Sequence, residues 1–259
     1  MYDLATLETD LAGTLFAGQL HFSAQTGSTN SDALDAARQG APHGSVYFTD
    51  EQLAGRGRGN HAWASAPGQG VYVSGLLRLP IPARQLPLLP LAAGLAAANA
   101  IRQTSGLTAD LRWPNDLLIG HGKVGGILVE AKTKSDRVAY TVVGVGINVH
   151  QQAFDSDLAQ QATSLDLQSG RRVSRQSLLA SLLKSLESEM LLLCDPAAAV
   201  QFPPRVERAS TWISGKAVQV HGPQACTGIT DGLDANGFLR IRTDSDLVIV
   251  QTGGIRALP

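Results

Sequence analysis

The stretch from Gln52 to Gly70 reads QLAGRGRGNHAWASAPGQG, with glycines alternating with Arg56 and Arg58 from Gly55 to Gly59 and a tryptophan at position 63. Two guanidinium groups beside unhindered glycine N–H groups suit phosphate or carboxylate, through charge-assisted hydrogen bonds. Trp63 either stacks on a flat ring or anchors the loop. A nucleic-acid-binding tract and an ordinary solvated loop are the competing readings. The stretch is not a P-loop, because no Gly-Lys-Ser/Thr ends it, and the Gly-x-Gly-x-x-Gly spacing of a dinucleotide fold is not met.

Four further motifs carry chemical groups. RWPND places Arg112, Asn115 and Asp116 around a proline, an amide and a carboxylate fit for a sugar hydroxyl or Mg²⁺, or for a structural Asx turn. In GKVGGILVE, Lys123 precedes Gly125 and Gly126. An ammonium there can neutralise charge as a carboxylate and a phosphate are joined in an in-line displacement, although a lone lysine at a strand start is also a common solvated edge residue. GVGINVH ends an apolar run on Asn148, and GSTN offers Ser28, Thr29 and Asn30 either as helix caps or as partners for a polar ligand head. Taken singly, each has a structural explanation.

The elements that must position these groups follow from periodicity and punctuation. GSTNSDALDAARQG predicts a capped helix closed by Gly40. SVYFTD and GVYVSGLLRL predict strands entering and leaving the glycine loop, so its glycines can bring backbone N–H groups close to a ligand. Leu88–Thr104 predicts a buried helix ending near Gly106, and Pro114 a turn inside LRWPNDLLI. KVGGILVEAKT and YTVVGVGINVH predict strands joined by a polar turn. Leucines at 178, 179, 182, 183 and 186 predict a helix from Ser174 that Asp195-Pro196 stops. After Pro203-Pro204 the texture shifts to short strands with a DANG hairpin turn, which predicts a small all-β unit from about residue 205.

An apolar fraction of 44% is ordinary for a globular core. With 21 basic against 22 acidic residues no global field points to nucleic acid or an anionic membrane. Cys194 and Cys226 match no metal-ligand spacing and read as free thiols in a reducing cytosol. The N-terminus has acids and no basic n-region, and Leu86–Ile101, the most apolar stretch, falls short of the ~20 residues of a membrane span. A soluble cytoplasmic protein is expected.

In this order and at these intervals, GSTN, EQLAGRGR with its tryptophan, RWPND, KVGGILVE and GVGINV closely resemble the biotin protein ligases, or biotin–[acetyl-CoA-carboxylase] ligases, from about residue 22 to the C-terminus. The resemblance implies an α/β (α+β) catalytic domain over 1–204, with a mixed sheet flanked by helices, and a small C-terminal SH3-like β-barrel over 205–259. It implies joining of biotin to ATP with Mg²⁺, release of pyrophosphate, and transfer from biotinyl-5′-AMP to a lysine of a biotin carboxyl carrier protein, that of acetyl-CoA carboxylase or a related carboxylase. Carried over by position, Ser28, Thr29, Asn30, Gln52, Gly55, Arg56, Gly57, Arg58, Lys123, Gly125 and Gly126 would bind biotin. Arg58, Trp63, Arg112, Asn115, Asp116, Lys123 and Asn148 would line the ATP and adenylate side, with Asp116 nearest a role toward Mg²⁺. Lys123, Arg58 and Arg56 would be the catalytic cations.

Two departures stand out. Gly59, Asn60 and His61 replace a further Gly-Arg pair of the family, which removes one positive charge, and Ala66 replaces a usual proline. About twenty residues precede the catalytic domain, too few for the DNA-binding winged helix that some members carry, so no DNA binding of that kind is expected. Monomer and homodimer are both compatible with the sequence. The rival readings are a lipoate or octanoate ligase or transferase of the same fold, and a nucleic-acid-binding protein using the Arg-Gly loop. Near-zero net charge and few loop aromatics count against the latter.

Overall fold

The computed structural model describes residues 2–154 and 161–258. A short helix α1 (Leu4–Asp10), capped by Asp3 on the Thr6 N–H, precedes strand β1 (Leu20–Thr26). Then come α2 (Thr29–Arg38), β2 (Val46–Gln52), β3 (Gly70–Leu77), α3 (Leu88–Ser105), β4 (Asp110–Arg112), β5 (Asp116–Ile119), β6 (Gly122–Lys134) and β7 (Arg137–Asn148). Helices α4 (Leu165–Ser169), α5 (Arg175–Cys194), α6 (Pro196–Ala199) and α7 (Phe202–Arg208) follow. The seven strands form one mixed sheet in the order β1-β2-β3-β7-β6-β5-β4. Only β1 and β2 are parallel, as their connection through α2 requires.

The expected elements form, with local causes that can be read from the residues. Helix α3 closes on Gly106 at φ 80°, the left-handed C-terminal position that glycine takes without a Cβ penalty. Helix α5 starts with Ser174 accepting from the Ser177 N–H and buries Leu178, Leu179, Leu182, Leu183 and Leu186. Asp195 ends it and caps α6 through the Ala197 N–H. Helix α1 and strand β1 were not expected. Strand β1 is an edge strand whose Ser23, Ala24 and Gln25 stay exposed, so it carries no clean alternation.

The two faces of the sheet are unlike, and strand alternation is the reason. Val143, Val145 and Ile147 of β7, Ile127 of β6 and Val71 and Val73 of β3 point into a large core shared with α3 and α5. On the other face, register pairs Gly126 with Gly146, Leu128 with Gly144 and Glu130 with Val142. Helix α2 covers part of that face by packing Ala33 and Ala37 on Leu76 of β3 and Val142 of β7. The glycines leave the rest as a floor of bare backbone.

Strands β8 (Ser214–His221), β9 (Cys226–Leu233), β10 (Leu239–Arg242), β11 (Leu247–Val250) and β12 (Gly254–Ala257) make a second, antiparallel sheet in the order β11-β10-β9-β8-β12. The chain enters it through α7, so the texture change at Pro203-Pro204 falls inside a helix whose first turn holds both prolines. The DANG turn forms between β9 and β10, with the Gly237 N–H on the Asp234 carbonyl. Trp113 Nε1 donates to the Gly237 carbonyl at 3.2 Å, and Glu207 Oε1 accepts from the Leu233 N–H at 2.7 Å, so both sheets are tied together. Both cysteines are free thiols. Among the described residues no helix is long and apolar enough to cross a membrane.

Candidate active site

The glycine loop folds as a closed hairpin rather than an open tether. Trp63 N–H donates to the Gly55 carbonyl at 2.9 Å and Gly57 N–H to the His61 carbonyl at 2.7 Å, around a turn at Arg58–Asn60. A Cβ on Gly55 would lie 2.3 Å from the Trp63 carbonyl oxygen, so the two arms close only over a glycine. His61 is exposed at the tip.

The loop lies on the glycine floor. The half-buried Trp63 indole covers Gly126 and Gly146, and a Cβ on Gly146 would meet its Nε1 at 2.5 Å. That Nε1 is buried and has no hydrogen-bond partner, an arrangement costing about 1–3 kcal/mol that a ligand acceptor would relieve. Arg56 makes a bidentate pair with Glu130, at 3.1 and 2.6 Å. Arg58 crosses to the second sheet and donates to the Gly253 carbonyl. Burial draws the Arg58 pKa below the usual arginine value, with the Asp116 carboxylate opposing.

A buried polar network surrounds the start of α2. Ser28 occupies the N-cap position but makes no side-chain cap bond. Gln52 Oε1 accepts from the Thr29 N–H at 3.0 Å, and Thr29 Oγ1 lies 2.7 Å from Ser74 Oγ. Ser74 donates to Asn30 Oδ1 at 2.6 Å, while Asn30 Nδ2 donates to the Leu128 carbonyl at 3.2 Å and to Glu130 Oε2 at 2.9 Å. Ser28, Thr29, Asn30 and Ser74 are all buried.

Lys123 reaches the same face through an irregularity. Leu117 pairs with Gly125 but Leu118 with Lys123, so Val124 is an extra, bulged residue. The bulge buries Val124 and turns Lys123 onto the floor, its Nζ 3.6 Å from where a Gly126 Cβ would stand. Lys123 Nζ sits 2.6 Å from Asp116 Oδ1 and 5.4 Å from the Trp63 ring centre. Asp116 Oδ2 holds Arg112 at 2.7 Å. Burial alone would raise the Asp116 pKa; Lys123, then Arg112, outweigh it and hold the carboxyl below its usual range. Arg58, Arg112 and Lys123 thus act on one carboxylate, and two positive charges remain over for an anion.

Because the folded pKa is depressed, the stabilisation from this pair is complete above the unfolded value and fades as pH falls through the folded one. Asp116→Asn should therefore lower Tm at neutral pH, with the gap to wild type shrinking below about pH 4. A gap that persists undiminished in acid-ramped melting curves would show that the carboxylate charge is not its source.

The expected residues therefore gather into two neighbouring clusters. Thr29, Asn30, Gln52 and Arg56 lie in the network, while Arg112, Asp116 and Lys123 form the cationic cluster, with Trp63 above Gly126 between them. Gly125 packs under the sheet, where a Cβ would meet the Gly146 carbonyl at 2.9 Å. Asn115 and Asn148 each give an amide N–H to backbone: Asn115 Nδ2 donates to the Ile127 carbonyl at 2.8 Å and Asn148 Nδ2 to the Thr163 carbonyl at 3.1 Å, while Asn148 Oδ1 accepts from Gln151 Nε2 at 3.2 Å. Ser74 and Glu130 were not expected. Their signal was present as the serine in the otherwise apolar and aromatic GVYVSGLL and the carboxylate closing KVGGILVE.

The chain is similar to known proteins in both sequence and fold. Residues 22–148 match the biotin/lipoate A/B protein ligase family. A bifunctional ligase/repressor BirA of Bacillus spizizenii is 39% identical over 162 residues, 62% of this chain and 50% of that protein, so the chain spans about half the length of this relative. A biotin–[acetyl-CoA-carboxylase] ligase of Mycobacterium tuberculosis is 32% identical over 92% of this chain and 88% of its own. A biotin protein ligase from Aquifex aeolicus, solved with biotin and ATP, superposes with a TM-score of 0.79 at 27% identity, covering 92% of this chain and 98% of that one. With its motifs set on one glycine floor and likeness extending over nearly its whole length, the chain belongs to the biotin protein ligases.

Proposed function

We propose that the protein is an ATP-dependent biotin ligase that makes biotinyl-5′-adenylate and passes the biotinyl group to a lysine of a biotin carboxyl carrier protein. The observation that carries this reading is the bulge that sets Lys123 on the glycine floor, beside Trp63 of the loop. In the first step a biotin carboxylate oxygen bonds to the α-phosphorus of ATP as the bond to pyrophosphate breaks. Two like-charged anions must approach, so the surplus positive charge of Arg58, Arg112 and Lys123 lowers the barrier most where their charge converges. In the second step the carrier amine attacks the acyl carbon and AMP leaves. The network at Thr29 and Gln52 is polar, largely buried and oriented, which suits a ureido head and not the apolar dithiolane or alkyl end of lipoate or octanoate.

Mg²⁺ would arrive with the ATP phosphates. Both Asp116 oxygens already face cations, and no group of three or more acidic, His or Cys side chains stands together among the described residues. This arrangement does not fit Asp116 as a direct metal ligand. In the same reading the five-stranded sheet is an SH3-like second domain, 205–259, after a catalytic domain of 1–204, and the free thiols suit a reducing cytoplasm.

ATP–pyrophosphate exchange with biotin, lipoate and octanoate tests the proposal. Exchange with biotin alone is expected; exchange with lipoate alone would move the chain to the lipoate ligases, and none with any acid would end the enzymatic reading.

A further inference from the structure

The two arms of the glycine loop are the two ends of one chain of polar contacts. From Arg56 on the first arm the chain runs through Glu130, Asn30, Ser74 and Thr29 to Gln52, whose Oε1 accepts from the Thr29 backbone N–H. Gln52 Nε2 then donates to Ser65 Oγ at 2.7 Å, and Ser65 donates to the Trp63 carbonyl at 3.2 Å on the second arm. Thr29 and Gln52 within it are the groups that the proposed reading gives to the biotin head. The direction of the chain is set at Glu130. A carboxylate only accepts, as does the Leu128 carbonyl beside it, so Asn30 must present Nδ2 to them and Oδ1 to Ser74. Ser74 has then spent its proton on Asn30, and Thr29 has only acceptors for its own, Ser74 Oγ and Gln52 Oε1, which leaves Thr29 Oγ1 as an acceptor suited to an N–H donor.

We infer, on the basis of that reading, that Glu130 is a positioning residue for the ligase reaction: it ties the Arg56 arm of the loop to the head-binding network by holding Arg56 and Asn30 with one carboxylate. Glu130 touches neither reacting group. Its Oε2 is shared between Arg56 at 2.6 Å and Asn30 at 2.9 Å, so moving either partner disturbs the other. The Arg56–Glu130 pair is partly exposed, with side chains 40% and 28% accessible, so its contribution comes from bidentate geometry and the shared third bond rather than from a bare surface ion pair.

The chain supplies its own reporter, because Arg56–Gly57 and Arg58–Gly59 are tryptic bonds inside the closed hairpin. Ligand-free wild type, E130Q, N30A and N30A/E130Q would be digested with trypsin under native conditions and the loop fragments timed. E130Q and N30A should each speed loop cleavage several-fold, although Asn30 makes no contact with the loop, and the double variant should be no faster than the faster single one. In steady-state exchange, E130Q should raise KM for biotin about tenfold with the ATP KM within about twofold of wild type. E130D, one methylene too short to span both partners, should fall between. Wild-type cleavage in N30A, single effects that multiply in the double variant, or an unchanged biotin KM in E130Q would overturn the inference. Proteolysis needs no catalysis, so absence of biotin-dependent exchange in wild type would defeat the functional reading without deciding this one.

Discussion

Lys123→Ala should cut biotin-dependent pyrophosphate exchange by about 10²–10³-fold, the loss that follows removal of one preorganised group at a developing charge. The ammonium stands 2.6 Å from Asp116, on a side chain that is 33% accessible. In that setting it is screened less than a surface lysine, and its attraction for the carboxylate and α-phosphate of the reacting pair is correspondingly larger. The substitution has a second consequence, since it removes one of the two direct ion-pair partners of Asp116 and leaves it Arg112, with Arg58 acting from farther off. The exchange defect would arise from that stranded carboxylate if D116N/K123A recovered most of the activity; the expected result is that it does not. Lys123→Arg should retain only a fraction, because a planar fork cannot place a compact charge at the same point. Melting curves guard against misfolding, as the side chain packs on the loop and not in the core. Exchange by K123A at near the wild-type rate, with the protein folded, would remove Lys123 from the mechanism.

Much of this site was legible as alternation and much was not. VGVGI places valines and isoleucine at odd positions and glycines at even ones, so β7 announces one greasy face and one bare face before any fold is known. The loop announced itself by composition. What periodicity cannot give is a break in period. A strict two-residue repeat would put Lys123 on the face opposite Gly126, and only the bulged Val124 brings them together. Glu130 and Ser74 were overlooked for a related reason: a polar residue in a strand reads as solvent-facing until a helix is seen to cover it, and α2 does so here. Asn115 and Asn148 look like ligand groups in the sequence, and a second task of each has no sequence signature: one amide N–H of each goes to a distant backbone carbonyl, that of Ile127 and of Thr163. The second sheet was readable as short strands between turns, whereas its link to the loop through Arg58 and Gly253 joins positions far apart in the chain and has no local signature.

Adding one methyl at Gly144 and adding one at Gly146 should give opposite kinds of damage, although the two residues are neighbours on the same face of β7. A Cβ on Gly144 would lie 2.0 Å from Asn30 Oδ1 and 2.8 Å from Asn30 Cγ. Asn30 is 4% exposed and fixed by Ser74, Leu128 and Glu130, so it cannot retreat without leaving buried partners unsatisfied. Overpacking of about 1–3 kcal/mol with at least one broken hydrogen bond should lower Tm for Gly144→Ala by about 5 °C or more and weaken biotin binding. At Gly146 the obstructing atoms are Trp63 Nε1 and Cε2, 2.5 and 2.6 Å from the new Cβ, on a loop side chain that can move away. Gly146→Ala should therefore leave Tm within about 2 °C of wild type, since the displaced ring is only half buried, while loop cleavage by trypsin rises several-fold. Equal losses of Tm in the two variants would mean that the loop is as rigid a part of the fold as α2. Unchanged proteolysis in Gly146→Ala would mean that Trp63 does not hold the loop down. The expected contrast follows from what each glycine supports: Gly144 carries a fixed polar network, and Gly146 carries a lid.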